Sequence, residues 1–151
     1  MRDFASLAAM QAQVGAQVAV SDWIEITQAR IDTFADATGD HQWIHVDAER
    51  CRRESPYGCT VAHGFLTLSL VPVMLQNALR MLDVGMAINY GLNKVRFPAP
   101  VPVGSRLRAR LSILAVSELA DGAQVDWGIA IEREGGDKPV CVAEFLMRRY
   151  P

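Results

Sequence analysis

A carboxylate and an imidazole stand five positions apart in the segment Gly39-Asp40-His41-Gln42-Trp43-Ile44-His45. Together such groups suit acid–base chemistry, one drawing a proton from a bound water while the other holds that water in place. The spacing fits no regular element. Five helical steps turn the chain roughly 500° and leave the side chains about 140° apart, and a fully extended segment would separate them by up to ~18 Å. Only a compact turn after Gly39 aims both at one water. The residue types alone favour a plainer assignment, in which Gly39-Asp40 ends a helix and His45 packs beside Trp43 and Ile44 in a loop.

Other reactive residues are less organised. Cys59 and His63 are four apart, yet no second Cys or His pair stands at ligand spacing and a catalytic zinc needs three protein ligands, so no metal is expected. Nothing marks Cys51, Cys59 or Cys141 as a nucleophile with a base partner, and they read as reduced packing residues. No glycine-rich phosphate loop follows a strand, so no nucleotide cofactor is indicated. Ser69 reads as a mid-helix hydroxyl bonded one turn back.

The elements that must position these residues are legible in part. Residues 6–14 suit a short helix and residues 14–20 a first strand. Thr27 is an N-cap candidate, and Ile31, Phe34, Ala35 and Thr38 recur at helical spacing until Gly39 stops the run. Residues 40–60 read as an irregular stretch with one helical turn after Asp47. Residues 64–82 read as a buried helix, apolar on nearly every side, that Pro72 kinks or restarts. Gly64 opens that helix, where a backbone N–H suits a developing negative oxygen; a close helix-to-sheet contact is the equal alternative for this glycine. Strand-like runs follow at 86–97, 106–117, 123–134 and 139–150, with hairpin signals at Asp121-Gly122 and Gly135-Gly136-Asp137. Arg106, Arg108 and Arg110 alternate with Leu107, Ala109 and Leu111, giving one wet and one packed face. Helices followed by an antiparallel meander predict an α+β domain.

With 151 residues, half of them apolar, and a net charge of -2, the chain reads as one cytoplasmic domain without a basic stripe for nucleic acid. Its longest apolar stretch is well short of the ~20 residues of a membrane span. No signal-peptide pattern opens it.

The run from Phe34 through Thr38-Gly39-Asp40-His41-Gln42-Trp43-Ile44-His45 to Asp47, followed by Val61-Ala62-His63-Gly64-Phe65, resembles the MaoC-like (R)-specific enoyl-CoA hydratases. Their Gly-Asp-x-Asn-Pro-x-His motif falls on Asp40 and His45, with Gln42 and Trp43 replacing the usual Asn and Pro, as in the nodulation-N-like branch. The stretch from Asn89 to Val101 extends the likeness. The resemblance implies a hotdog fold, a bent antiparallel sheet wrapped around a long central helix, in a single domain over residues 1–151. It implies homodimers that join their sheets edge to edge. It further implies hydration of trans-2-enoyl-CoA to (R)-3-hydroxyacyl-CoA without a cofactor, with acyl carrier protein as another carrier. Asp40 and His45 would be catalytic, the Gly64 N–H would polarise the thioester carbonyl, and His63, Asn89, Gly91 and Arg96 would contact substrate. Arg96, Lys94, Arg52 and Arg53 are the cations available to coenzyme A phosphates. A thioesterase of the same fold and a non-catalytic acyl-binding subunit are the competing readings.

Overall fold

Residues 1–151 are all described by the computed structural model. In chain order the elements are β1 (Arg2–Phe4), α1 (Leu7–Gln11), β2 (Gln17–Val20), β3 (Ile24–Glu25), α2 (Gln28–Thr38), α3 (Trp43–Val46) and α4 (Ala48–Glu54). Then come α5 (Gly64–Ser69), α6 (Val71–Ala78), β4 (Leu79–Met81), β5 (Met86–Arg96), β6 (Arg106–Leu119), β7 (Gly122–Arg133) and β8 (Pro139–Tyr150). The four long strands form the antiparallel sheet expected, but only β6, β7 and β8 run as a meander: β5 lies beyond β8 rather than beside β6, giving the spatial order β6-β7-β8-β5, with β2 and β3 added along β6.

Period-two alternation sets the two faces of this sheet. Ile113, Trp127 and Phe145 stand opposite one another across β6, β7 and β8, as do Leu111, Ile129 and Ala143, and all six are buried. They face α1, α5 and α6, so one apolar core lies between the sheet's inner face and the helices. On the outer face Arg108 and Arg110 share the carboxylate of Glu132, and Arg106 pairs with Glu134. That is the wet face predicted from the arginine alternation.

α2 begins and ends as its residues require. The Thr27 hydroxyl accepts from the Arg30 N–H, and Gly39 adopts φ 77°, donating its N–H to the Ala35 carbonyl. The central helix restarts at Pro72, as expected. It is two short helices broken at Leu70, with Pro72 in the first turn of α6, where a missing N–H costs least. It departs from expectation in not reaching residue 82: after Ala78 the chain extends as β4 to pair in parallel with β1, an ion pair between Asp3 and Arg80 closing the contact. The stretch 40–60 is also less irregular than predicted, since it holds α3 and a two-turn α4 capped by Asp47.

One end of the sheet is closed by a buried cation. Arg149 points inward from β8, is 5% exposed, and bonds Asp83 at 2.6 Å. Burial disfavours ionisation of Asp83, but the Arg149 hydrogen bond and charge outweigh it and hold the carboxyl below its usual range. Its contribution to stability is therefore present above the ordinary carboxylate pKa and lost as pH falls through the folded value. Asp83→Asn should cost about 1–3 kcal/mol, less than a fully buried pair because Asp83 is partly solvated. Urea unfolding at neutral pH checks this, and the gap between variant and parent should narrow toward pH 3.

Candidate functional site

Three connected segments converge on His45. Its Nδ1 lies 2.6 Å from the carbonyl oxygen of Val61, which can only accept, so Nδ1 carries the ring proton and Nε2 keeps a lone pair. The backbone of the same residue is fixed from α2, where Gln28 Nε2 donates to the His45 carbonyl at 2.8 Å. Gln28 in turn accepts from the buried Thr60 hydroxyl at 2.5 Å. The Val61 N–H returns a bond to the Ile44 carbonyl at 3.0 Å, locking α3 against the strand-like segment before α5. Gln28 and Thr60 carry no sequence signal as site residues, because a glutamine opening a helix and a threonine in a loop are both common.

After the left-handed turn at Gly39 the chain doubles back, so that side-chain atoms of Asp40, His45 and His63 all lie within 4.8 Å of one another. This is the compact turn that the Asp40 and His45 spacing demands. Asp40 is exposed and His45 is 7% exposed. Burial is the main influence lowering the His45 imidazolium pKa, and neighbouring His63 adds to it; the Val61 hydrogen bond and the Asp40 charge oppose it. The resulting ring is neutral at neutral pH and its free Nε2 can accept a proton.

His63 is placed differently from expectation. It is 3% exposed and lies behind His45, away from the surface of the cavity beside that ring. Its ring stacks on that of His45 with centroids 3.8 Å apart and planes inclined by 24°. Rings so nearly parallel have planes that meet far outside both, and no ion could lie in both planes at the ~2.0–2.1 Å of a zinc–imidazole bond. Cys59 is not part of this cluster.

A cavity of about 310 Å³ opens beside His45, lined also by Gly64, Thr67, Tyr57, Phe97 and Val61. The Gly64 N–H, first in α5, finds no acceptor within the chain. Thr67 contributes a buried hydroxyl without a partner, an apolar-helix exception visible in the sequence and not singled out there. The close helix-to-sheet contact expected as the alternative for Gly64 is present, since a Cβ there would lie 2.9 Å from the Phe97 ring. Ser69 donates to the Phe65 carbonyl at 2.7 Å, as expected of a mid-helix serine.

Asn89, Gly91 and Arg96 are not brought to this cavity within the subunit. Asn89 lines a separate space of about 210 Å³ beside α6, and Gly91 lies opposite Leu146 along β8. Arg96 and Lys94 face the largest cavity, about 560 Å³, on the sheet's outer side. That larger hollow is lined by no histidine, and its one carboxylate, Glu144, is paired with Lys94. A bulge between Leu92 and Val95 alters the side-chain alternation of β5 before Arg96, a shift that residue types do not announce. Arg52 is paired with Glu49 on exposed α4. Cys141 is buried, its thiol pushed up to about 11, and Cys51 is likewise raised by burial; both are packing residues.

Residues 9–131 match the family described as MaoC-like domain. The chain is 53% identical over 149 residues to 3-hydroxyacyl-thioester dehydratase Z of Mycobacterium tuberculosis, covering 98% of each protein. It is 40% identical over 144 residues to Nodulation protein N of Rhizobium leguminosarum bv. viciae, covering 93% of this chain and 89% of that one. Among solved structures, the unliganded R-hydratase of Pseudomonas aeruginosa superimposes with a TM-score of 0.74 at 22% identity, covering 93% of this chain and 84% of the other.

The tight packing at Gly64 is open to test. Gly64→Ala should destabilise the protein by about 1–3 kcal/mol through overpacking against Phe97. Phe97→Leu in the same chain should recover part of that loss, giving a double-mutant coupling above about 0.5 kcal/mol in urea unfolding, whereas additive effects would mean the contact carries no strain.

Proposed function

The chain belongs to the MaoC-like domain family and is a hydratase/dehydratase with the hotdog fold, and from that premise we propose how its residues carry the reaction and on what substrate. The substrate is a trans-2-enoyl thioester, delivered on coenzyme A or acyl carrier protein, and the product is the (R)-3-hydroxyacyl thioester. Water sits between the Asp40 carboxylate and the His45 ring. His45 Nε2 takes its proton as the oxygen bonds C3, while electron density moves through C2 onto the thioester oxygen, where the Gly64 N–H receives it. The proton is returned at C2, so nothing is oxidised or reduced and the reverse reaction is dehydration. No cofactor is needed.

The observation that carries this reading is the His45 Nδ1 bond to Val61. It leaves a neutral Nε2 lone pair in a hydrogen-bond frame that also presents the unpartnered Gly64 N–H to one cavity. Separation within 4.8 Å supports a single water bridging Asp40 and His45, since two hydrogen bonds of about 2.8 Å at a near-tetrahedral angle span roughly that distance.

A homodimer is part of the proposal. β5 bonds only β8, and its other edge is open while Met86, Ile88, Tyr90 and Leu92 stay exposed along it. An open apolar edge of that length is suited to a second copy continuing the sheet. The three free cysteines suit the reducing cytoplasm. Sedimentation should give twice the chain's 16.6 kDa, and Tyr90→Lys should shift it toward the monomer.

With crotonyl-CoA the enoyl absorbance should fall without release of free thiol; thiol release would indicate a thioesterase, and neither change over short and long chains would favour an acyl-binding subunit. Asp40→Asn and His45→Gln should each lower kcat by on the order of 10²-fold or more with the fold retained. Because burial depresses the His45 pKa, kcat/KM should stay high as pH falls past the ordinary histidine value and drop only below it. Near-normal rates in either variant would contradict the assignment of that residue.

A further inference from the structure

His63 is the one buried titratable side chain next to the reacting pair for which water activation provides no task. Its Nε2 lies 2.9 Å from the Asp40 carbonyl oxygen, so that nitrogen carries the proton and donates. The remaining lone pair, on Nδ1, is enclosed and has no partner. An orphaned buried acceptor costs free energy that a leucine or methionine filling the same space would not incur. One ring edge is thus spent on the Asp40 backbone, and one ring face lies on His45, with the Phe34 ring 5.0 Å away as a further neighbour.

We propose that His63 is a positioning residue for the reaction assigned above: it anchors the turn that carries Asp40 and, as a second imidazole stacked on His45, biases that ring toward its uncharged, proton-accepting form. Two imidazolium rings 3.8 Å apart would repel strongly in so dry a place, so the stacked pair disfavours charge on both rings at once. The groups facing the pair are few. The turn after α2 brings Asp40, the loop after α4 brings Tyr57 to the cavity, α5 offers the uncharged Gly64 and Thr67, and the β5–β6 connection presents apolar groups such as Phe97 and Pro98. Asp40 is the one anion among them and opposes His63 in its effect on His45. Removing His63 therefore takes away one of the two influences that lower the His45 basicity, burial being the other, and tips the balance toward Asp40.

The chain holds three histidines, so imidazole resonances can be followed individually by NMR as pH is varied. His41, exposed and paired with Asp36 at 2.9 Å, is the internal reference. In His63→Gln, which can still donate an N–H to the Asp40 carbonyl, the His45 titration midpoint should rise by about half a unit or more while His41 stays put. His63→Phe keeps a ring and loses the donor, so its kcat should fall roughly tenfold with little change in KM, and His63→Gln should recover several-fold of that loss. An unmoved His45 midpoint in His63→Gln would overturn the electrostatic half of the proposal, and a wild-type kcat in His63→Phe the anchoring half. The NMR titration needs no turnover, so a protein that fails to hydrate enoyl thioesters would defeat the proposed function and leave the His45–His63 coupling to be decided by its own readout.

Discussion

The hydrogen bond from His45 Nδ1 to the Val61 carbonyl, 2.6 Å long and out of water, joins two parts of the chain sixteen residues apart. On one side it fixes the ring's orientation and proton, leaving Nε2 as the available base. On the other it holds the segment leading into α5, and with it the free Gly64 N–H, beside the same cavity. The neighbouring bonds reinforce the arrangement. Val61 donates to Ile44, Ala62 to Val101 and Val103 to Thr60, so the turn bearing Asp40 and His45 is tied through one short segment to the connection between β5 and β6. The sheet acts as the platform, and the rigidity of the site derives from backbone carbonyls whose positions it determines.

This explains which features could be read from residue types. The N-cap Thr27, the stop at Gly39 and the bounds of the four long strands follow from local propensity and period-two patterning, and the structure reproduces them to within two residues, while the place of β5 beside β8 rather than β6 is a long-range pairing that local patterning does not give. What escaped depends on partners distant in sequence. The end of the central helix at Ala78 is decided by β4 meeting β1, more than seventy residues earlier, and no pattern around residue 79 announces it. Gln28 and Thr60 matter through the single carbonyl of His45. The displacement of Asn89 and Arg96 from the cavity follows from the irregular register of β5, which shifts side-chain alternation in a way sequence spacing does not reveal.

The motif variation at Gln42 and Trp43 has a structural counterpart. Gln42 begins α3 without a side-chain cap, and Trp43 lies half-buried beneath the Arg50 guanidinium of α4, 4.3 Å from its ring centroid. The Trp43 carbonyl accepts from the Asp47 N–H. A large aromatic side chain therefore ties α3 to α4, in a turn whose ends are set by Gly39 and by His45. The reacting groups keep their frame because that frame is made by Gln28, Val61 and Asp40's own turn, none of which depends on the identity of residues 42 and 43.

The central claim is that this frame delivers an oxygen from water to C3 of an intact thioester. Mass spectrometry of the product formed from an enoyl-CoA in heavy-oxygen water tests it most directly. The account predicts one heavy oxygen in the C3 hydroxyl of a product still joined to coenzyme A, formed by the parent protein and not by His45→Gln. Heavy oxygen recovered in a free carboxylate, with coenzyme A released and C3 unlabelled, would contradict it.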